Sequence, residues 1–326
     1  MGNGSVRVAV TGASGYIGGN LVRRLERDSS VEHVLATDVR RPAAPFGPKV
    51  AFERHDVTAP MGDLLAEHGV DAVVHLAFVL QADHDRHAAR RVNVDGASTV
   101  LESCVEAGVR RLLYLGSTTV YGAHPDNPRL LTEDSPLRPV AGFRYGEDKA
   151  AVERAFARFA TEHPDFSLTV LRACPVIGSN ADNFISRAFS KPLLVAVGAH
   201  DPEMQLMHED DLTELMHLCL MRDTSGVYNA AGKGTVRWSE LAHTTDRRLV
   251  RLPAWLLYAL TAITWKLRLQ SDSPASGLDF IRYRWSADTR KLANELGFEP
   301  RHSSMDAWEA FVHRDDLLAT SKAAHG

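Results

Sequence analysis

The sequence has few cysteines and no long block of charge of one sign. Its three cysteines, Cys104, Cys174 and Cys219, lie far apart and form no CxxC pair. This spacing excludes a disulfide framework and a zinc knuckle, and it favours a reducing, cytoplasmic location. No run of five or six like charges occurs and the formal net charge is −4, so we expect neither nucleic-acid binding nor a polybasic membrane anchor. A small-molecule partner is therefore expected.

Long hydrophobic runs are also scarce, and the N-terminal residues lack the pattern of a secretory signal. The most apolar stretch, residues 252–269, is interrupted by Thr261, Thr264, Lys266 and Arg268, so no membrane span is predicted. We interpret it as a buried or lid helix. Simple packing and a cover over a less polar substrate are the two roles left open for it.

Through the first half of the chain, short β-branched runs alternate with longer helical patterns, which is typical of βαβ units around a parallel sheet. Strands are predicted at residues 6–10, 33–38, 50–54, 71–77, 111–117 and 167–173, and helices at 18–28, 62–68, 93–107 and 145–162. We predict an α/β fold, a Rossmann-type doubly wound parallel sheet with a smaller C-terminal α/β substrate lobe. Residues 1–178 would form the dinucleotide-binding domain with the catalytic groups. Residues 179–326 would mainly form the substrate lobe, with some chain returning to the Rossmann core.

Three glycines follow the first predicted strand at intervals of three residues and precede an amphipathic helix. Gly12 permits a tight turn, Gly15 lets the backbone approach a pyrophosphate, and Gly18 lets the helix pack close to the strand. The N-terminus of that helix offers free N–H groups to an anion. The pattern predicts a dinucleotide site, with a glycine-rich turn that binds nothing as the alternative.

Asp38 lies 20 residues after Gly18, at the end of the second predicted strand. A carboxylate there accepts hydrogen bonds from the ribose hydroxyls of NAD and repels a 2′-phosphate. Arg40 and Arg41 follow, and they would hold a 2′-phosphate if the loop turned toward it. NAD is therefore the expected cofactor, and NADP stays possible.

Tyr145 and Lys149 are four residues apart, on one face of a predicted helix. Bringing a phenol pKa from about 10 to near 7 takes about 4 kcal/mol, which a lysine cation and an oxidised nicotinamide can supply. Ser117 ends a predicted strand at the catalytic edge of such a sheet. We expect Tyr145 to act as acid/base beside Lys149, and Ser117 to hold the substrate oxygen, with Thr118 and Thr119 as competitors for that role.

Further motifs extend this pattern over nearly the whole chain. They are TGASGYIGG at 11–19, Asp-Val at 56–57, His-Leu-Ala at 75–77, NVDG at 93–96, STTVYG at 117–122, YxxxK at 145–149 and Leu-Arg at 171–172. In this order they resemble the extended short-chain dehydrogenase/reductase family, specifically its NAD-dependent epimerase/dehydratase group.

The resemblance implies a larger set of cofactor contacts and an assembly. Tyr16 and Ile17 would contact the pyrophosphate, and Asp56 and Val57 would hold the adenine. Leu76, Ala77 and Phe78 would lie along the cofactor, Cys174 beside the nicotinamide, and Asn93, Ser117, Tyr145 and Lys149 would complete the set. A homodimer built on the helices around Asn93 and Tyr145 is also implied.

Three functions remain open at this point. The leading interpretation is an NAD(P)-dependent oxidoreductase that interconverts a secondary alcohol and a ketone on a small molecule. The alternative is an NAD-dependent epimerase of a sugar or sugar nucleotide, acting through a transient keto intermediate. A dinucleotide-sensing regulator without turnover is less expected, because Tyr145 and Lys149 are both retained.

Two departures from the resembled group bear on the substrate. Its dehydratases carry an acid pair where this chain has Thr118 and Thr119, which disfavours sugar dehydration. Its nucleotide-sugar members typically carry an arginine where this chain has Met204, which weakens that substrate class.

No metal site is predicted. His84, His87 and His124 lack ligand partners at useful spacing, and His208 is interpreted as a structural residue beside an acidic helix start.

Overall fold

A computed structural model describes residues 5–79, 86–181, 193–244, 248–270 and 273–313. Seven parallel strands form one sheet in the order β3-β2-β1-β4-β5-β6-β11. Their bounds are β1 Val6–Thr11, β2 Val31–Asp38, β3 Val50–Arg54, β4 Ala72–His75, β5 Arg111–Ser117, β6 Ser167–Ala173 and β11 Gly226–Ala230. The order turns back at β1 and β4, so the carboxyl ends of these two strands flank the crevice where such sheets bind ligands.

Helices cover both faces of the sheet, as the near-continuous burial along its strands requires. They are α1 Tyr16–Glu26, α2 Gly62–Glu67, α3 Arg86–Arg90, α4 Gly96–Glu106, α5 Arg144–Glu162 and α6 Glu209–Arg222. Helices α1 and α6 share one hydrophobic core with the sheet, while α2, α4 and α5 share another on the opposite face. The predicted doubly wound α/β fold is confirmed.

Shorter elements follow the sixth strand and form a third core. Their strands pair in twos, β7 Val176–Ile177 with β10 Met207–His208, β9 Glu203–Met204 with β12 Val236–Arg237, and β8 Leu193–Val197 with β13 Arg248–Leu252. The helices are α7 Trp238–His243, α8 Ala254–Lys266, α9 Arg290–Leu296 and α10 Ser304–Val312. Since α6 and β11 pack into the Rossmann core from beyond residue 178, the chain returns to the sheet; the exact domain boundary stays a prediction.

The predicted elements of the first half lie within a few residues of the observed ones. The pattern at 93–107 divides into a π-helical turn at Arg91–Asp95 and α4. The sequence at 229–234 also predicts a turn-rich stretch, yet Asn229 and Ala230 complete β11. The strand was missed because a polar asparagine interrupts the apolar run, and its side chain is satisfied inside the fold.

The apolar stretch 252–269 forms α8. Of the two expectations for this helix, burial is wrong, and the role of a lid stays a prediction. Leu257 is its only buried side chain. Trp255 is 75% exposed and Ile263 is 55% exposed. In the described parts of the chain, no helix combines the length and apolar character that crossing a bilayer requires.

All three cysteines are free and buried. Burial raises the pKa of the Cys104 and Cys174 thiols to about 12 and that of Cys219 to about 11. They lie on α4, directly after β6, and on α6, so the thiols are in three separate places in the fold.

Candidate active site

The glycine loop between β1 and α1 makes two close backbone approaches. Gly12 has φ +71°, and a Cβ there would lie 2.7 Å from the amide nitrogen of Ala77. A Cβ on Gly18 would lie 2.2 Å from the carbonyl oxygen of Gly12. Only glycine fits at either position, and the Cβ of Gly15 would meet nothing but the Gly12 oxygen. The loop therefore leaves a cradle open above Gly15.

The start of α1 supplies donors to that cradle. Gly15 is the N-cap and no side chain caps the helix, so the first N–H groups, including those of Tyr16 and Ile17, keep their capacity to bind an anion. Asp38 stands beside the loop, where its carboxylate accepts from the amides of Ser14 at 3.1 Å and Arg40 at 2.9 Å. Its remaining lone pairs can accept from ribose hydroxyls. These residues fit a bound NAD.

Thr11 links the two strands that flank the crevice. Its Oγ1 accepts from the amides of Leu76 and Ala77 at 3.2 and 3.3 Å and lies 2.8 Å from His75 Nδ1. Burial lowers the pKa of His75 to about 3, and the nearby Lys149 acts in the same direction. The imidazole is therefore neutral at physiological pH, and the loop carrying Leu76 and Ala77 is held against the glycine turn.

Asp56 and Val57 follow β3. The Asp56 Oδ1 accepts from the Thr58 amide and hydroxyl, which lowers the pKa of that carboxyl. Asp56 is exposed and Val57 is 5% exposed, packed under Gly96. A charged acceptor next to an apolar side chain suits the edge and the face of an adenine ring.

Ser117 lies at the carboxyl end of β5 and caps a 3₁₀ turn at Thr118–Tyr121. Its Oγ lies 3.3 Å from the Thr119 amide and accepts from the Thr119 hydroxyl at 2.9 Å. With both contacts directed at its lone pairs, the Ser117 proton remains for a substrate oxygen or for Tyr145. Thr118 lies near the carbonyl of Ala173, at 3.5 Å, so the structure favours Ser117 over its two neighbours.

Tyr145 and Lys149 extend from the first turns of α5 toward Ser117. Burial raises the pKa of Tyr145 to about 12, and its contact with the Ser117 hydroxyl acts in the opposite direction. Burial lowers the pKa of Lys149 to about 7, partly offset by the carboxylate of Glu153. The phenol is therefore protonated in the free protein, and Lys149 titrates near neutrality.

Aromatic rings and a backbone carbonyl hold the lysine. Its Nζ donates to the Leu115 carbonyl at 2.6 Å and lies 3.8 Å from the centre of the Phe78 ring and 4.6 Å from that of Tyr114. The Phe78 ring also meets the Tyr145 ring edge-on at 5.4 Å. Phe78, expected along the cofactor, thus contacts both candidate catalytic side chains, Tyr145 and Lys149.

Asn93 and Asp148 hold the segment after Phe78 against α5. Asn93 Oδ1 accepts from the Val79 amide at 2.7 Å, and its Nδ2 donates to Asp148 at 3.1 Å. Asp148 also pairs with Arg90 at 2.9 Å. Direct cofactor contact by Asn93 stays a prediction, since its amide group is used to tie the segment after Phe78 to α5. Sequence reasoning missed Asp148, which lies inside the YxxxK motif and is 5% exposed.

A buried ion pair lies one turn beyond Lys149, and sequence reasoning missed it too. Arg172 on β6 pairs with Glu153 at 2.8 Å, and their side chains are 7% and 3% exposed. Burial raises the pKa of Glu153, while Arg172 opposes the rise. Arg172 also donates to the Tyr121 hydroxyl at 2.7 Å. The Leu-Arg motif and the glutamate four residues after Lys149 were the available signals.

The remaining candidates lie around this centre. Cys174 follows β6 with its thiol buried, and its place beside a nicotinamide stays a prediction. Met204 on β9 is 5% exposed. The position at which nucleotide-sugar members of the resembled group carry an arginine is therefore part of an apolar core in this chain. His208 accepts from the Asp210 amide and stacks on His302 at 3.9 Å between ring centres, as a structural residue would. His84 lies outside the described residues, among which no group of three His, Cys, Asp or Glu could hold a metal.

Comparison with known proteins gives a family match and several relatives. The model of the "NAD dependent epimerase/dehydratase family" matches residues 8–231. An uncharacterized protein of Mycobacterium tuberculosis is 27% identical over 93% of this chain and 82% of its own length. A dTDP-glucose 4,6-dehydratase of Mycolicibacterium smegmatis is 27% identical over 93% of this chain and 90% of its own length.

Solved structures show the same fold. MoeE5 in complex with UDP-glucuronic acid and NAD is 25% identical, with a TM-score of 0.74 over 96% of this chain and 99% of its own. A UDP-glucose 4-epimerase of Thermotoga maritima with UDP-glucose is 19% identical, with a TM-score of 0.74 over 96% and 100%. At that identity the second likeness describes the fold alone.

Proposed function

Since the chain belongs to the NAD dependent epimerase/dehydratase family, we propose that it is an epimerase that inverts a secondary alcohol carbon of a sugar nucleotide with NAD. Family membership confirms the predicted resemblance, the enzyme class and the NAD cofactor. It supports the epimerase alternative better than the leading interpretation of a general alcohol and ketone oxidoreductase. The homodimer and the cytoplasmic location stay predictions.

The arrangement around Ser117 is the observation that carries the proposal. In the free protein its hydroxyl contacts Tyr145, and its two contacts with Thr119 leave its proton unused. That proton can therefore pass to a substrate oxygen while Tyr145 takes the oxygen's own proton. Thr118 and Thr119 stand where a dehydratase would carry its acid pair, and neither hydroxyl is an acid at neutral pH. The site therefore supports removal and return of a hydroxyl proton and disfavours elimination of water.

The residues of the chain divide the reaction as follows. NAD, held by the glycine loop and Asp38, supplies hydride acceptance and donation when bound. Tyr145 takes the hydroxyl proton as the carbon is oxidised and gives it back when the carbon is reduced, so no proton is gained or lost overall. Ser117 donates to the oxygen throughout, and the Lys149 cation favours the phenolate.

The main obstacle lies in the pKa of Tyr145. Moving it from about 12 to near neutrality takes about 7 kcal/mol. Lys149, whose own pKa is about 7, is only half charged at that pH in the free protein. We therefore expect proton transfer to become efficient only in the complex with cofactor, where further positive charge is present.

The substrate class comes from the relatives. MoeE5, 25% identical, is in complex with UDP-glucuronic acid and NAD, and a 27% identical relative is a dTDP-glucose 4,6-dehydratase. This chain has methionine at position 204, where an arginine could form charged hydrogen bonds with a diphosphate. We therefore expect the nucleotide to bind more weakly than it would with arginine at that position.

The proposal is tested by incubating the full chain with NAD and either UDP-glucose or UDP-glucuronic acid in D₂O and following products by NMR. An epimer that forms without net absorbance change at 340 nm and without deuterium at the inverted carbon is the expected result. Stoichiometric NADH would instead indicate a dehydrogenase, and a keto-deoxy sugar a dehydratase.

A Tyr145→Phe variant removes the proton acceptor and should lower turnover about 10³-fold. Tyr228→Phe is the matched control, because that hydroxyl donates to Ser225 within a separate core. Turnover by Tyr145→Phe at the rate of the control would sink the proton-transfer assignment.

A further inference from the structure

The outer face of α8 is apolar and exposed over its whole length. Trp255, Ala259, Ala262 and Ile263 recur at helical spacing on this face, and all are exposed. Leu267 and Leu269, just past the helix, are 62% and 73% exposed. Monomeric proteins rarely expose apolar side chains in such a continuous row, so the row indicates a surface with a partner.

The charge around this face has one sign. Residues 248–270 contain four basic residues and no aspartate or glutamate. Arg248 and Arg251 lie on the strand that enters the helix, and Lys266 and Arg268 lie at its end. All four are exposed, and none forms an ion pair with a carboxylate of the described residues. Lys266 and Arg268 therefore lie at the end of the apolar face, and Arg251, which precedes the helix, donates to the carbonyl oxygens of Gly198 and His200.

The helix is tied to the neighbourhood of the active site. The Tyr258 hydroxyl donates to Asp279 in the 3₁₀ segment Ala275–Ile281. Phe280 of that segment packs on Phe143 at 4.8 Å between ring centres, and Phe143 meets the ring of Tyr145 edge-on at 6.2 Å. These contacts connect α8 with Tyr145. A surface bound to α8 would therefore be linked to the active site through them.

We propose that the outer face of α8 docks on an anionic lipid surface, with the helix lying in the interface and not crossing it. Tryptophan, leucine and isoleucine on one face with flanking lysine and arginine are what such a surface recognises. A second copy packing the same face against itself would bring the same cations together, with no acidic residue in the segment to neutralise them. Charge complementarity thus favours lipid over self-association.

The test is sedimentation of the full chain with vesicles of phosphatidylcholine, with and without phosphatidylglycerol. The expected result is binding that requires phosphatidylglycerol and weakens as salt is added. Ile263→Ser with Leu267→Ser should weaken binding about tenfold or more, because both side chains lose their apolar contact with lipid. Leu130→Ser, at an apolar residue 39% exposed elsewhere, is the matched control and should leave binding unchanged.

Charge is tested separately. Lys266→Gln with Arg268→Gln should weaken binding to the anionic vesicles about 25-fold, since each cation near such a surface contributes about fivefold. Arg110→Gln with Arg158→Gln changes two exposed arginines elsewhere and should have little effect. Thermal unfolding and NAD binding of every variant establish that it is folded.

Two results would overturn the proposal. Binding that is absent, or that is equal in the α8 variants and their controls, would do so. Sedimentation velocity tests the alternative that a second copy of the chain covers this face. A dimer that dissociates in Ile263→Ser with Leu267→Ser, without vesicle binding by the parent chain, would assign the face to a second copy. Neither result bears on the epimerase activity, which is measured on soluble substrates.

Discussion

Helices α5 and α8 depart from the usual distribution of side chains in opposite directions. Helix α5 buries Asp148, Lys149 and Glu153 against the sheet, whereas α8 exposes tryptophan, leucine and isoleucine and buries only Leu257. Charged side chains are almost never fully buried unless they are paired, and large exposed apolar patches usually have a partner. In α5 the structure contains the compensating groups, and in α8 it does not.

This difference fits two separate proposed roles, catalysis for α5 and binding to a partner surface for α8. Each buried charge of α5 has a partner within the fold: Arg90 for Asp148, the Leu115 carbonyl for Lys149, and Arg172 for Glu153. The site on α5 is thus preorganised before any ligand binds. Among the described residues nothing covers the outer apolar face of α8, so we expect its effects to appear in association and not in folding.

The largest effect should follow from breaking the buried pair under α5. Arg172→Met leaves Glu153 buried without its cation, which should lower the free energy of unfolding by about 3–5 kcal/mol. Denaturant titration measures this. Adding Glu153→Gln should recover part of the loss, because no unpaired charge then remains.

An exposed ion pair provides the control. Lys233 pairs with Glu299 at 3.1 Å, with side chains 54% and 70% exposed. Lys233→Gln should change the unfolding free energy by less than about 1 kcal/mol. Equal effects of Arg172→Met and Lys233→Gln would mean that the interior of α5 is not preorganised as described.

A smaller effect should appear in the pH dependence of stability. The pKa of Lys149 is about 7 when folded and about 10.4 when unfolded, so between these values the unfolded chain binds more protons and stability rises with pH. From pH 7 to 9 this contribution amounts to about 2–3 kcal/mol. Wild type should gain that much relative to Lys149→Met in denaturant titrations at the two pH values.

The window stops at pH 9 because the buried cysteines, with raised pKa values, act in the opposite direction above it. Their contribution is common to wild type and variant. Parallel pH profiles for the two proteins would contradict the assignment of a desolvated Lys149.

The smallest effect should come from the outer face of α8. Leu260 is 44% exposed, and Leu260→Ala should change the unfolding free energy by less than about 0.5 kcal/mol. Leu257→Ala, three residues earlier and 5% exposed, should cost about 2 kcal/mol or more. Thermal or denaturant unfolding of the pair checks the orientation of the helix, and similar losses would indicate that the outer face is packed in the free protein.

Much of the fold could be predicted because its signals are local. Gly12, Gly15 and Gly18 fall between a β-branched run and an amphipathic helix, and the observed loop needs glycine at the first and third for steric reasons. Tyr145 and Lys149 are one helical turn apart, so any helix places them on one face. Asp38 and Ser117 each end a predicted strand, and that position singles them out without any resemblance to the family.

The rest depended on contacts between residues far apart in sequence. Asn93 meets Asp148 across 55 residues and Arg172 meets Glu153 across 19. Local patterns mark individual members of these pairs, such as Arg172 in the Leu-Arg motif, but they do not show which residues meet. The apolar composition of residues 252–269 predicted burial, because apolar helices are usually buried. Whether such a helix is covered depends on what packs against it, which periodicity does not specify.

The three buried thiols should react slowly with alkylating reagents in the native protein. Since the thiolate is the reactive form, Cys104, Cys174 and Cys219 can meet an alkylating reagent only after α4, the end of β6 or α6 opens. The alkylation rate of each cysteine therefore measures how often its own part of the structure opens. The three rates together compare local unfolding in three places of the fold. Since Cys174 is predicted to lie beside the nicotinamide, bound NAD should slow the reaction of that one thiol and leave the other two unchanged.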